Sequence, residues 1–270
     1  MIIFFMSCSS HSISNEEQIQ INYDQGIEYY NKKKYSKAKE SFQYVMLHSA
    51  GSRLALESEF YLSESLYNLG LYEEALYGYD NYARSSQNSD LIELSRFRLC
   101  ESVYNLTLDY KKDQESTMDA LEKIEIFLED YPKSEYHFEA LLIKSELKYR
   151  LAKKEYESAV LYIKLQEYKA SLIYLIELIN NYFPLEPILL TNQQINQYDI
   201  YLKELLDDTR IMIVYAYLLD NRKGMAIDFY NLQDNNFYNS KSKDKIKQLL
   251  ESDGLSKFNT WKDVYLGISK

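Results

Sequence analysis

Residues Asn22–Phe42, NYDQGIEYYNKKKYSKAKESF, and Glu59–Tyr79, EFYLSESLYNLGLYEEALYGY, carry related residues at the same internal offsets. Gly26 aligns with Ser63, Tyr29 with Leu66, Tyr35 with Tyr72, Ala38 with Ala75 and Phe42 with Tyr79. Small residues in one helix and aromatics in the next are what two antiparallel helices need when their backbones approach closely and a ring fills the remaining gap. Gly26 inside a helix costs roughly 0.5–1 kcal/mol relative to alanine. Its presence predicts a partner helix packed against that spot.

The step from Ala38 to Ala75 is 37 residues, near the ~34 of a tetratricopeptide repeat, with a slightly longer loop between the first two units. Only 7 Gly and 3 Pro occur in 270 residues, so turns demanding positive or fixed φ are expected to be scarce and helices long. Tyr131-Pro132 and Phe183-Pro184 mark two helix ends, because the residue before proline is pushed out of the α region. Unit one then runs from Asn15 to His48 and unit two from Ser52 to Ser85. A third covers Asp90–Tyr131, with a longer connection at Thr107–Asp113. Ser134 is the expected N-cap of an unbroken helix to about Gln166, whose partner starts near Tyr168. After Pro184–Asn192 a fifth pair follows, Gln197–Leu219 and Arg222–Leu232, and Lys241–Glu251 reads as a cap with a polar outer face. The predicted fold is an all-α tetratricopeptide-repeat solenoid of about five helix pairs with a C-terminal capping helix. Units 1–3 occupy residues 15–133, units 4–5 and the cap 134–252, and a tail 253–270. In that tail Leu255, Phe258, Trp261, Val264 and Tyr265 fall at helical spacing, a stripe suited to capping the last repeat or docking on a partner.

Composition narrows the function. Net charge is −10, from 41 acidic and 31 basic residues, which argues against a nucleic-acid partner. No window reaches the ~20 apolar residues of a transmembrane helix. His11, His48 and His137 are scattered, and no Gly-rich loop, metal-binding pair or nucleophile elbow occurs. The paired acids Glu73-Glu74 and Asp207-Asp208 are expected to be solvated charges pointing to different helix faces. Cys100, inside a helical stretch, reads as a small buried residue. No enzyme activity, cofactor or metal is expected; stacked helix pairs make concave surfaces that bind extended segments.

The start, Met1-Ile2-Ile3-Phe4-Phe5-Met6-Ser7-Cys8 followed by Ser9-Ser10, has the order of a bacterial lipoprotein signal: an apolar run, a small residue, then a cysteine. No Lys or Arg precedes the run, so residues 1–7 are read as a truncated signal peptide and 8–14 as a lipidated N-terminus and linker. Stable anchoring takes two or more acyl chains, because one alone gives marginal binding.

Three blocks sharpen the assignment: Lys112-Asp113-Gln114 before a helix, Phe127–Tyr136 (FLEDYPKSEY), and Arg150–Ala159 (RLAKKEYESA), with Tyr162, Tyr168 and Ala170 ahead of the second aromatic-proline stop. On these residues the chain resembles the BamD family, tetratricopeptide lipoproteins of the outer-membrane β-barrel assembly machine. The likeness runs over roughly Asn22–Leu232. Phe183-Pro184 departs from the expected Tyr-Pro, and 185–199 is a longer insert. The resemblance implies a scaffold held in the outer membrane by an S-diacylglycerol, N-palmitoyl Cys8 and facing the periplasm, with Ser9 favouring export. Its implied partners are the periplasmic domains of the barrel-forming subunit, bound by the C-terminal units, unfolded outer-membrane proteins, bound by the N-terminal groove, and accessory lipoproteins. Arg150 and Lys153 are the candidate contacts for the barrel subunit, since a guanidinium fork pairs bidentately with a carboxylate; for Arg150, pairing with Glu146 in its own helix is the alternative. Tyr23, Tyr30, Tyr61 and Tyr67 are candidate client contacts, and filling helix–helix gaps is the alternative for each. Another envelope tetratricopeptide lipoprotein, serving cell division or wall synthesis, would share Cys8 and the repeats but not the RLAKKEY block.

Overall fold

In the computed structural model, residues 14–182 and 197–251 are described, so Cys8, the segment 183–196 and the tail with Trp261 lie outside the described residues. Eleven α-helices account for most of the described chain: α1 Asn15–Asn31, α2 Tyr35–His48, α3 Arg53–Asn68, α4 Tyr72–Ser85, α5 Ser89–Leu106, α6 Glu115–Asp130, α7 His137–Lys164, α8 Tyr168–Tyr182, α9 Gln197–Leu219, α10 Lys223–Gln233 and α11 Ser240–Leu250. The described residues contain no strand. The pairs α1/α2, α3/α4, α5/α6, α7/α8 and α9/α10 give an all-α tetratricopeptide-type repeat fold, with α11 after the last pair.

Local chemistry sets both ends of these pairs. The first helix of each early pair opens on a side-chain cap: the hydroxyl of Ser14 accepts the Glu17 N–H at 3.2 Å, Ser52 that of Ala55 at 3.0 Å, and the Asn88 carbonyl that of Leu91 at 3.3 Å. Each satisfies one of the orphan donors of a helix start. Ser134, expected to cap α7, stands in a turn instead, its hydroxyl accepting the Tyr136 N–H, and α7 begins at His137. Four turns within pairs share one design. The second residue after the first helix is left-handed and the second helix starts two residues later: Lys33 (φ 56°), Gly70 (φ 76°), Gln166 (φ 62°) and Asn221 (φ 58°). The scarcity of glycine therefore did not mean a scarcity of positive-φ turns, since three of the four use another residue.

The described chain forms two compact units. One holds the residues up to Thr107 together with Lys123–His137; the other holds Leu108–Glu122 and the residues from Phe138 on. In the first, rings fill the space between helices. Phe42, fully buried, stacks on Tyr61 at 5.6 Å between centroids and meets the edge of Tyr23 at 6.1 Å. Phe60 lies against Tyr61, Tyr79 and Tyr82, and Phe97 stacks on Tyr136 at 4.9 Å. Cys100 is buried, its thiol donating to the Lys123 carbonyl, and burial pushes it up to about 12. The second unit has an aliphatic core around α9, which is buried almost without interruption from Leu205 to Leu218. Leu172, Leu175 and Leu178 of α8, Ala226 of α10, and Ile246 and Leu249 of α11 pack into this core. A helix apolar all round must be covered all round.

Gly26 is buried, and a β-carbon there would lie 2.7 Å from Cε1 of Phe42. The ring is itself fully buried, stacked on Tyr61 and edge-on to Tyr23. Gly26→Ala is expected to lower stability by about 1–3 kcal/mol, read as a shift of the urea unfolding midpoint.

Candidate functional site

The first helices of the first unit, α1, α3 and α5, are cross-linked at a constant interval of 34 residues. The Tyr23 hydroxyl donates to Glu57 Oε2 (3.2 Å), the Tyr30 hydroxyl to Glu64 Oε2 (2.8 Å), and Arg98 Nε to Glu64 Oε1 (3.2 Å). Glu64 is 5% exposed and also accepts the Tyr79 hydroxyl of α4 at 2.7 Å. Burial, then the Glu64 charge, raises the Tyr30 and Tyr79 hydroxyls well above their ordinary range, so both remain protonated donors. For Arg98 burial acts downward, but the Glu64 and Glu101 carboxylates outweigh it and the guanidinium is held more firmly charged. Its plane also lies over the Tyr67 ring, 5.1 Å from the centroid, a cation–π contact.

Beside this row a groove of about 590 Å³ opens between α1, α3, the end of α4 and the start of α5, lined by Tyr23, Arg53, Leu56, Glu57, Phe60, Tyr61, Tyr82, Leu91 and residues 85–88. Its volume falls in the range of clefts that hold ligands, ~300–1,000 Å³. Aromatic and aliphatic side chains form one side, the polar residues Ser85, Ser86, Gln87 and Asn88 another, and the pair Arg53 Nε to Glu57 Oε1 at 2.7 Å also lines the groove. Glu57 thus serves Tyr23 and Arg53 together.

The structure brings two of the four candidate tyrosines, Tyr23 and Tyr61, into the groove. Tyr30 and Tyr67 belong to the Glu64–Arg98 row, Tyr30 edge-on to Tyr35 and Tyr61, and Tyr67 edge-on to Tyr72. All four are half-buried, so each both fills a helix–helix gap and shows part of its ring to solvent. In the second unit Arg150 pairs with Glu146 one turn back, and Glu146 also receives the Tyr198 hydroxyl. Lys153 pairs with Glu157 at 3.2 Å and lies over the Tyr156 ring. The side chains of Arg150 and Lys153 are 23% and 21% exposed. No group of His, Cys, Asp or Glu that could hold a metal occurs among the described residues.

Sequence reading missed two buried polar networks. The Glu64 row carried a signal, Tyr30, Glu64 and Arg98 each 34 residues apart, a spacing close to one repeat that sets the three on neighbouring first helices. The other overturns an expectation: Asp207 is 1% exposed rather than solvated. It accepts the backbone N–H groups of Tyr238 (3.1 Å) and Asn239 (2.8 Å) and pairs with fully buried Arg210, which also donates to Gln233. Desolvation raises Asp207 and lowers Arg210, and their mutual attraction opposes both shifts. Asp208 is likewise drawn in, pushed up to about 7 by burial against the pull of Lys245 and Lys153.

Glu155 behaves similarly. Its Oε2 is buried with no hydrogen-bond partner among the described residues, and burial, then Glu177, pushes its carboxyl up to about 7. The folded state therefore holds a proton that the unfolded chain releases near 4.5. Stability is full below that value and falls as pH rises towards 7. Glu155→Gln is expected to raise the melting temperature at pH 8 and leave it unchanged at pH 4. For the Glu64 row, Glu64→Ala is expected to cost about 2–3 kcal/mol, because it strands three donors, whereas Glu57→Ala in the half-exposed groove costs under about 1 kcal/mol; chemical denaturation distinguishes the two.

No helix among the described residues is long and apolar enough to cross a membrane. Among solved structures the chain is similar to the apo form of RapI, at 14% identity over 93% of this chain and 83% of that one, with a TM-score of 0.35. It is also similar to a Podosopora anserina protein with nearly identical TPR-like repeats, at 11% identity over 87% and 97%, with a TM-score of 0.33. No curated protein matches the sequence. The family model of YfiO, outer membrane lipoprotein, matches residues 15–203. That match takes in the whole first unit, α7, α8 and the start of α9, and on it the chain belongs to the YfiO family of outer membrane lipoproteins.

Proposed function

We propose that this chain is the lipid-anchored, BamD-like scaffold of the outer-membrane β-barrel assembly machine, tethered through Cys8 and facing the periplasm. Its work is to bind and position, without catalysis. The first unit receives unfolded barrel proteins in the groove of Tyr23 and Tyr61, and the second binds the periplasmic domains of the barrel-forming subunit around Arg150 and Lys153, with accessory lipoproteins as further partners.

The observation that carries this reading is the tyrosine-walled groove in a chain of the outer membrane lipoprotein family. An unfolded barrel strand alternates apolar and polar residues. A wall of half-buried rings offers apolar area at small entropic cost, and the Arg53–Glu57 pair beside it offers hydrogen bonds to an extended backbone. Fixed donors also keep the wall in shape before a client arrives. Arg150 suits a partner contact because Glu146, which engages it, is shared with Tyr198; an incoming carboxylate could take over one of its two edges.

Photoreactive residues at Tyr23, Tyr61, Arg150 and Lys153 of the membrane-bound protein test both surfaces. The first two are expected to crosslink a peptide from a C-terminal barrel strand, and the last two the barrel-forming subunit. Crosslinks from all four to cell-division or wall-synthesis proteins would overturn the assignment in favour of another envelope lipoprotein.

A further inference from the structure

Along α7, Lys154, Ser158 and Leu161 recur every three to four residues, which sets them on one stripe of the helix, and Leu165 follows in the turn just after it. Lys154 and Ser158 are half-buried, whereas Leu161 and Leu165 are 53% and 60% exposed. The connection between α5 and α6 passes beside the first part of this stripe. Lys154 Nζ donates to the Lys111 carbonyl at 3.1 Å, and the Lys111 ammonium lies 5.6 Å from the centre of the Tyr110 ring. A cleft of about 420 Å³ lies between them, lined by Tyr110, Lys111, Lys154, Glu157, Ser158 and Leu161.

Its charge is unlike that of the molecule around it. The chain carries a net −10, yet the one carboxylate in the lining, Glu157, is engaged by Lys153. Lys111 and Lys154 form no ion pair with any carboxylate among the described residues. The cleft is therefore cationic at one end and apolar at the other, where Leu161 stands. Seven residues of helix separate Lys154 from Leu161, about 10 Å at 1.5 Å per residue, and an extended chain covers that distance in three residues at ~3.3 Å each. Neither the client groove nor the contacts proposed for Arg150 and Lys153 include these residues.

We propose that this cleft docks an extended acidic segment of a partner protein, with a carboxylate held between Lys111 and Lys154 and a large apolar side chain three residues further on seated against Leu161. The two lysines are already fixed, one by the carbonyl it bonds and one by the ring beneath it, so little side-chain freedom is lost on binding. Electrostatic attraction sets the register, and the leucine supplies the apolar area.

The test is fluorescence anisotropy of the full chain in detergent with a labelled twelve-residue peptide carrying an Asp-Glu pair three residues before a Leu-Phe pair, and with a twin in which Asn-Gln replaces Asp-Glu. The acidic peptide is expected to bind saturably and about fivefold more tightly than its twin at low salt, the factor a single solvent-accessible ion pair can supply. Lys111→Glu with Lys154→Glu should abolish that preference and transfer it to a Lys-Lys version of the peptide. Leu161→Ala should weaken all versions alike. Thermal melting verifies that the variants are folded. Absence of saturable binding, equal affinity for the acidic and neutral peptides, or a preference unchanged by the double charge reversal would each overturn the proposal.

Discussion

The carboxylate of Glu64 is the point on which the first unit depends. It stands on α3 and is bonded from three other helices, by Tyr30 of α1, Tyr79 of α4 and Arg98 of α5. A carboxylate has about four acceptor sites, and three strong donors fill most of them, so the charge is tolerable at 5% exposure. Apolar packing between helices is permissive about sliding, because rings and methyl groups fit almost as well a fraction of a turn away. Directional bonds to one buried atom pair are not. They fix how far α1 and α5 slide along α3, and with that the position of every side chain lining the groove. The aromatic core supplies the stabilisation, and Glu64 chooses one arrangement among those the core would accept.

The second unit reaches definition by a different route. Its core is aliphatic and centred on α9, and its polar fixture joins α9 to the chain before α11, where Asp207 takes two backbone N–H groups from the link between α10 and α11 while Arg210 lies under the rings of Phe237 and Tyr238. A loop that would otherwise expose two donors is tied to the most buried helix of the unit. Asp208 and Glu155 are less well provided for, and both hold their protons towards neutral pH. Because burial raises both carboxyls, this half loses stability as pH rises towards neutral.

Helix pairing was legible because it depends on local periodicity: the Ala38 and Ala75 offsets and the proline stops act within a few residues, whereas the caps Ser14, Ser52 and Asn88 came only from the structure. Gly26 could be read as a contact because glycine inside a helix needs a reason. The turns misled, since Lys33, Gln166 and Asn221 adopt a glycine-like conformation that their side chains do not advertise. Asp207 misled for the opposite reason. An acid is assigned to the surface by default, and only the distant backbone of Tyr238 and Asn239 shows why it is buried. Of the tyrosines, sequence placed all four on the first helices of their units, which is where they lie. It could not separate the two that face the groove from the two committed to the Glu64 row, because that division depends on how neighbouring helices slide.

The 34-residue spacing of the bonds between first helices also governs where this chain can change length. Tyr23 and Tyr30 are seven residues apart, as are their acceptors Glu57 and Glu64, so two rungs meet on matching faces. A residue gained between Glu57 and Glu64 would rotate one acceptor by about 100° relative to the other, and the two rungs could not form together. A residue added in the turn at residues 49–52 lies between α2 and α3 and leaves the seven-residue spacing of the donors and of the acceptors intact.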